Sequence, residues 1–436
     1  MSKINLFFSC EILIDQFFIK SSRSGIFFTI WNTLQIMHKN ENLQISLAYP
    51  SEYTWSKKLQ KLKEHPFFSQ FKFVRAGLGH IDEVEILFRI NEHKKNGSYI
   101  KIFYNYLRLL YNYLRLIKYR MEEIFYCKKE SFKDTQIYLS PFYPIPRKIL
   151  KQRHIKKIYI LYDAIPILQP DFFKANFNAS DVHTMLIETF DKDTYAFCIS
   201  QSCKDDFLKC SGDKLDEHKM FVTHIATNQN YVPDYNKQEL IRILKKYNAE
   251  HNPNDNYLFS LCSLEPRKNL PFTISCFFKF IKKHNIQNLY FYLGGSVWKK
   301  FESVLAKILE EAGEFKHKVK LLGYIDDCDL NILYSNSLFF TYLSQYEGFG
   351  MPPLEAMQAG TPVITSNNSS LPEVVGDAAI SVICNDELAV IKAFEDFYFN
   401  ENLREEYIAK GLERAKMFSW EKCVGQMIHS IEDIVR

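Results

Sequence analysis

The 436-residue sequence contains no apolar run of the length a membrane span requires. Its opening stretch, Ile4 to Phe8, is broken by Ser9 and Glu11, too soon for a signal peptide, and reads as a first strand. The ten cysteines include no C-x-x-C pair, and no pair of histidines stands at zinc-finger spacing. A disulfide framework and a structural zinc site are thereby disfavoured, and the thiols read as reduced and mostly buried, as in a cytosolic protein. No nucleic-acid recognition motif accompanies the basic stretches, so nucleic acid is not assigned as a partner.

What is present is globular in kind. A hydrophobic content of 47% with 24% charged residues suits a folded chain of two or three domains. The net charge of +4 conceals an asymmetry: residues 94–157 hold sixteen Lys and Arg against four Asp and Glu, a local excess of +12. Within that region the segment 99–124 predicts a helix with one narrow polar stripe, Lys101, Asn105, Arg108, Asn112, Arg115 and Glu122. The remainder is mainly Ile, Phe, Tyr and Leu. Such a helix fits a membrane interface bearing anionic lipid, and equally fits docking onto its own domain with its arginines solvated.

Strand and helix signals alternate along the chain, which predicts an α/β fold in two Rossmann-like domains, 1–230 and 235–415, followed by an amphipathic helix over 418–436. Several strands end in residues suited to a polar crevice. Ile4 to Phe8 leads to a Ser-rich loop, Gly25 and a helix, where backbone N–H groups either meet an anion or simply turn. Ile158 to Leu161 leads to Tyr162 and Asp163, the latter a hydroxyl ligand or the cap of the next turn. Tyr257 to Cys262 precedes Glu265-Pro266-Arg267-Lys268-Asn269, whose adjacent cations would neutralise a diphosphate or sit solvated in a loop. Leu289 to Leu293 runs into Gly294-Gly295, and Val319 to Gly323 into Tyr324-Ile325. Asp326-Asp327-Cys328-Asp329 opens a helix and reads as N-terminal capping rather than a metal cluster.

The stretch around which the rest is organised is Glu347-Gly348-Phe349-Gly350-Met351-Pro352-Pro353-Leu354-Glu355. An apolar run, Leu338 to Leu343, predicts a buried strand before it, and the two prolines fit the opening of a helix that Gly360 ends. Two carboxylates across a Gly-rich turn at a helix N-terminus suit a polyhydroxylated ligand carrying phosphate. Glu347 would accept hydrogen bonds from ligand hydroxyls, and Glu355 would sit in the first helical turn with its charge favoured by the dipole.

This run, continued by AMQAGTPVITSNNSSLPEVVGDAA, resembles the Glu-x7-Glu signature of retaining nucleotide-sugar glycosyltransferases, family 4 in particular. The resemblance implies the GT-B architecture, two Rossmann-like domains facing a central cleft, with the 418–436 helix crossing back to the N-terminal, acceptor-binding domain. It implies roles at the reacting centre for Glu347, Arg267, Lys268 and Asp163. It implies donor contacts from Gly25, Gly294, Tyr324, Ile325, Gly348, Phe349, Gly350, Met351, Leu354 and Glu355, and neither a metal nor a cofactor. The implied reaction moves a hexose from a nucleotide-diphosphate sugar to a hydroxyl of a growing cell-surface glycan or lipid-linked oligosaccharide, at the inner face of the plasma membrane. Asp163-x-Ile-Pro166 resembles the His-Asp-x-Ile-Pro segment of relatives using mannose-type donors, which favours GDP-mannose and leaves UDP-sugars open. Tyr162 replaces that histidine, and a phenol does not readily exchange a proton near neutral pH. A sugar-nucleotide epimerase or hydrolase, or a silent sugar-nucleotide-binding protein, are the other readings.

Overall fold

A computed structural model describes residues 3–19, 25–77, 117, 121, 132–173, 177–227, 231–263, 265–295 and 302–436. The chain divides into two compact units. The first comprises Met1–Ile199, Cys203–Thr223 and Trp420–Arg436; the second comprises Ser200–Ser202 and His224–Ser419. The expected basic helix over 99–124 lies outside the described residues except for Ile117 and Met121.

The first unit is built on a seven-stranded parallel sheet of order β3-β2-β1-β4-β5-β6-β7. Its strands are β1 (Ile4–Ser9), β2 (Leu43–Pro50), β3 (Lys72–Gly77), β4 (Ile137–Ser140), β5 (Lys156–Leu161), β6 (Tyr195–Cys198) and β7 (Met220–Val222). A sheet covered by helices on both faces needs apolar residues at successive positions rather than at alternate ones. β4 and the last five residues of β5 are accordingly buried throughout. The helix Trp420–Val435 completes this unit. Cys423, Val424, Met427, Ile428 and Ile431 recur at three- and four-residue steps, so one stripe is apolar and buried against the helix Gly25–His38.

The second unit has a six-stranded parallel sheet of order β10-β9-β8-β11-β12-β13. Its strands are β8 (Asn256–Leu261), β9 (Leu289–Gly294), β10 (Val319–Gly323), β11 (Phe339–Tyr342), β12 (Val363–Ser366) and β13 (Ala379–Val382). In both sheets the strand order reverses once, between β1 and β4 and between β8 and β11. At such a reversal the crossover helices on either side diverge, leaving a crevice beyond the carboxyl ends of the two central strands. Among the described residues no helix is long and apolar enough to cross a membrane.

Candidate active site

The second unit places its chemistry at that reversal. β8 and β11 are hydrogen-bonded neighbours, with Leu258 opposite Phe339 and Phe259 opposite Phe340. The residues that follow each strand therefore emerge side by side. After β8 the chain turns through a short 3-10 segment, Pro266–Lys268, which carries Arg267 and Lys268. Asn269 then takes a left-handed conformation, φ 55°, which Asn tolerates better than most side chains. Its amide is fastened to the Cys384 carbonyl at 2.8 Å. After β11 comes the loop holding Glu347.

The three residues form one buried network. Lys268 Nζ lies 2.6 Å from Oε1 of Glu347, and Arg267 Nη1 lies 2.9 Å from Oε2. The Tyr342 hydroxyl bridges the pair: it accepts from Lys268 Nζ at 2.5 Å and donates to Glu347 Oε1 at 3.0 Å. The ammonium also sits 4.9 Å from the Tyr342 ring centroid, a cation–π contact. Arg267 spends Nε on Glu265 at 2.9 Å and Nη1 on the Tyr346 carbonyl at 3.0 Å. The basic pair is thus no solvated loop. A buried charge is tolerated when paired, and here two cations meet two carboxylates.

The two glutamates of the motif have opposite electrostatics. Burial pushes the Glu347 carboxyl up, but Lys268 and then Arg267 outweigh it and hold it at about 2. It is a fixed anion, and a carboxylate that gives up its proton so readily is a weak nucleophile. Among the described residues no cation stands beside Glu355. Burial dominates and raises it to about 7, against the pull of the Tyr334 hydroxyl, which donates to Oε2 at 2.8 Å. The first-turn position expected for Glu355 is also corrected: the helix Met351–Gln358 begins at Met351, so Glu355 is its fifth residue, turned inward and 5% exposed. Dipole stabilisation falls off beyond the first turn and does not offset that desolvation.

The loop between them is held by backbone contacts to small hydroxyls. Ser370 Oγ donates to the carbonyls of Glu347 at 3.0 Å and Phe349 at 2.8 Å, and Ser200 Oγ donates to Gly348 at 2.7 Å. The Ser369 hydroxyl accepts from the Glu347 N–H at 2.9 Å. Gly350 turns the chain at φ 110°, and a Cβ there would stand 2.7 Å from Leu371 Cδ2, so no other residue fits both the backbone and the space. Pro352 and Pro353 then occupy the first helical turn, where no backbone donor is needed.

The remaining candidates sort by unit. Gly294 ends β9, and a Cβ on it would lie 2.4 Å from Ile325 Cδ1, so its bareness lets Ile325 pack at the sheet's carboxyl edge. Ile325 is 4% exposed and its neighbour Tyr324 is 58% exposed, an aromatic face open to a flat ligand. Met351 is half-buried and Leu354 fully buried. Gly25 and Asp163 belong to the first unit. Gly25 opens the helix Gly25–His38, while residues 20–24 of its loop lie outside the described residues. Asp163 Oδ1 accepts from the Ile165 N–H at 3.1 Å, so its carboxylate caps the next turn. Tyr162 is buried, and its hydroxyl has no hydrogen-bond partner among the described residues. The Asp326–Asp329 run differs from the capping expected of it. Asp326 stands at the N-cap without a side-chain cap bond, and Lys246 Nζ bridges Asp326 and Asp329 at 2.6 Å each. Among the described residues no group of three His, Cys, Asp or Glu is placed to hold a metal ion.

Residues 242–414 match the family profile of glycosyl transferases, group 1. Over this segment the chain is similar to group 1 glycosyltransferases. The chain is 31% identical over 245 residues to O-antigen chain mannosyltransferase B of Escherichia coli, covering 56% of this chain and 62% of that protein. It is 26% identical over 265 residues to the serotype-specific mannosyltransferase WbdA of Escherichia coli, covering 61% of this chain and 32% of the relative. The chain therefore spans about three fifths of the length of one relative and a third of the other. Sucrose-phosphate synthase from Thermosynechococcus elongatus superposes with a TM-score of 0.66 over 99% of each chain at 14% identity, a likeness of fold alone, of the GT-B class.

The second unit also contains site residues that sequence reasoning passed over. Tyr342 is the last residue of a strand buried on both faces, where no periodicity singles out an inward hydroxyl. Glu265 carries a local signal, two positions before Arg267. Tyr334 carries none, since its meeting with Glu355 is purely tertiary.

Proposed function

We propose that the chain is a retaining glycosyltransferase of family 4 that transfers mannose from GDP-mannose to a hydroxyl of a growing cell-surface glycan or lipid-linked oligosaccharide, without a metal. The observation that carries the proposal is the buried network of Arg267, Lys268, Tyr342 and Glu347 at the carboxyl ends of β8 and β11. The two mannosyltransferase relatives support the sugar, and their names support an O-antigen-type acceptor.

In the proposed reaction the glycosidic bond to the β-phosphate oxygen breaks as the sugar becomes oxocarbenium-like, and negative charge accumulates on the departing diphosphate. Lys268 has three N–H donors, of which Tyr342 and Glu347 take two, leaving a third for a phosphoryl oxygen. Arg267 adds its fixed positive charge beside it. Both are set before reaction, which is the condition for stabilising developing charge without reorganisation. Glu347, ionised throughout the neutral range, would orient sugar hydroxyls rather than attack carbon. Glu355, buried beneath the loop, would hold the helix end against the ribose side of the donor, and Tyr324 would cover the base. The basic segment 99–124 would bring the enzyme to an anionic membrane at the inner face of the plasma membrane.

The test is direct. Purified chain is given GDP-mannose, UDP-glucose and UDP-galactose separately with a mannose-terminated acceptor, in the presence of EDTA, and the anomeric configuration of the product is read by NMR. Turnover of GDP-mannose to an α-linked product supports the proposal. Turnover of a UDP-sugar alone, an inverted product, or complete loss with EDTA overturns the corresponding part. Release of free mannose without acceptor identifies a hydrolase.

A further inference from the structure

Both backbone groups of Glu347 are held by side chains, and one of the two holders carries a strained backbone. β11 and β12 are neighbours in the second sheet, with Tyr342 opposite Thr365. The chain after β12 therefore runs beside the loop that carries Glu347. Ser369 takes the Glu347 N–H on its hydroxyl at 2.9 Å, and Ser370 donates its hydroxyl to the Glu347 carbonyl at 3.0 Å. With its carboxylate on Lys268 and Arg267, Glu347 is fixed at every polar group it has.

Among the described residues four non-glycine positions have a positive φ: Asn248, Asn269, Asn285 and Ser369. Asparagine enters the left-handed region at low cost because its short amide bonds locally. Serine is not among the residues enriched there, so φ 48° at Ser369 is the exception among the four. Glycine would hold that conformation without strain. What glycine lacks is the hydroxyl. That hydroxyl is aimed: it donates to Asn368 Oδ1 at 3.2 Å, which leaves its lone pairs for the Glu347 N–H. The Asn368 amide is itself tied to the Ser344 carbonyl at 3.2 Å. Ser369 is half-buried, so water can serve the Glu347 N–H in its place, and folding alone does not need the serine. Strain of this kind persists where the surroundings enforce it, and it gathers at active sites.

We propose that Ser369 is a positioning residue for the transfer step. Its left-handed turn places the hydroxyl that fixes the Glu347 backbone, and through it the direction of the carboxylate toward the sugar. The proposal deepens the reaction proposed above and rests on the sugar-orienting role given there to Glu347. A misplacement of about 1 Å in a group that orients substrate can cost on the order of 100-fold in rate, so one N–H···O contact at this point matters.

The experiment compares Ser369→Gly, Ser369→Ala and Ser369→Thr with the parent in kcat, GDP affinity and melting temperature. Ser369→Gly removes hydroxyl and strain together, whereas Ser369→Ala removes the hydroxyl alone. Both should lower kcat alike, on the order of 10-fold, with GDP affinity unchanged because Arg267 and Lys268 are untouched. They should separate in stability, the Ala variant melting below the parent and the Gly variant no lower than it. Ser369→Thr keeps the hydroxyl on a branched residue that the left-handed region disfavours, so it should melt below the parent yet retain more kcat than the other two. Rate and stability then run in opposite directions, which a merely structural serine would not produce. A Gly variant with the parent's kcat overturns the proposal, as does a kcat that follows melting temperature across the three. Hydrogen exchange of the 344–350 loop, read on the free protein, is independent of turnover. It should accelerate in the Gly and Ala variants and not in Thr, and unchanged exchange in Gly also overturns the proposal. A parent inactive on every donor overturns the reaction itself, and hydrogen exchange then decides the Ser369 contact alone.

Discussion

Replacing Glu355 with Gln separates the two glutamates of the motif by their titration. The Glu355 carboxyl is raised from 4.5 to about 7, first by burial, with the Asp327 charge adding and the Tyr334 hydrogen bond opposing. Below pH 4.5 the group is protonated in folded and unfolded chains alike, so its full contribution to stability is present. Between pH 4.5 and 7 the unfolded chain ionises while the folded chain retains its proton. Folding must then take up a proton, and stability falls as pH rises. At about 1.36 kcal/mol per pH unit the loss reaches about 3 kcal/mol above pH 7. Gln has no such titration, and its carbonyl still accepts from Tyr334. The unfolding free energy of the variant relative to the parent, from urea melts at pH 4.5 to 8, should therefore rise by about 3 kcal/mol across that range. In thermal melts this is about 6–12 °C at roughly 2–4 °C per kcal/mol for a unit of this size. Every other titrating group is common to both proteins and cancels in the difference. A constant offset from pH 4.5 to 8 would refute the reasoning, because it would mean that Glu355 ionises as readily folded as unfolded.

Glu347 has the opposite sign. Held at about 2, it contributes stability that is complete above pH 4.5 and lost as pH falls toward 2, so Glu347→Gln should narrow its deficit against the parent on acidification. At pH 7 that variant leaves two buried cations short of a counter-ion and should lose about 3–5 kcal/mol in urea melts. Glu347→Ala with Lys268→Ala together should cost clearly less than the sum of the single changes, a coupling that a double-mutant cycle reads and that additivity would contradict. Tyr342→Phe removes a hydroxyl bonded to two charged groups, about 1.5–3 kcal/mol, and should lower kcat more than nucleotide affinity; an unchanged kcat rejects a positioning role. Arg267→Ala with Lys268→Ala should abolish the melting shift given by GDP, and a shift equal to the parent's would move the phosphate site elsewhere.

The candidate site was legible in the sequence where local rules decide it. The loop glycine at 350, the prolines opening the next helix and the cations after β8 all announce themselves by residue type. What the sequence withheld was mutual: which strands are neighbours, and hence that the residues after β8 and β11 meet. That Arg267 and Lys268 also pair with Glu347 was not legible, because that carboxylate lies across a strand pairing nearly eighty positions away, whereas Glu265 stands two positions before Arg267. Glu355 read as a charge favoured by a helix terminus because spacing gives a position along a helix but not the face turned inward. The Asp326–Asp329 run misled for a similar reason, since Lys246 reaches it from a helix far upstream.

The helix Trp420–Val435 has a consequence for how the chain is made. Its buried stripe, with Val424, Met427 and Ile431 wholly out of solvent, belongs to the first unit, yet it leaves the ribosome after every residue of the second. The second unit can fold as it emerges; the first waits, with the face of Gly25–His38 uncovered, until that helix has been made. That interval is a window for chaperone capture and aggregation. A chain ending at residue 419 would remain in it permanently.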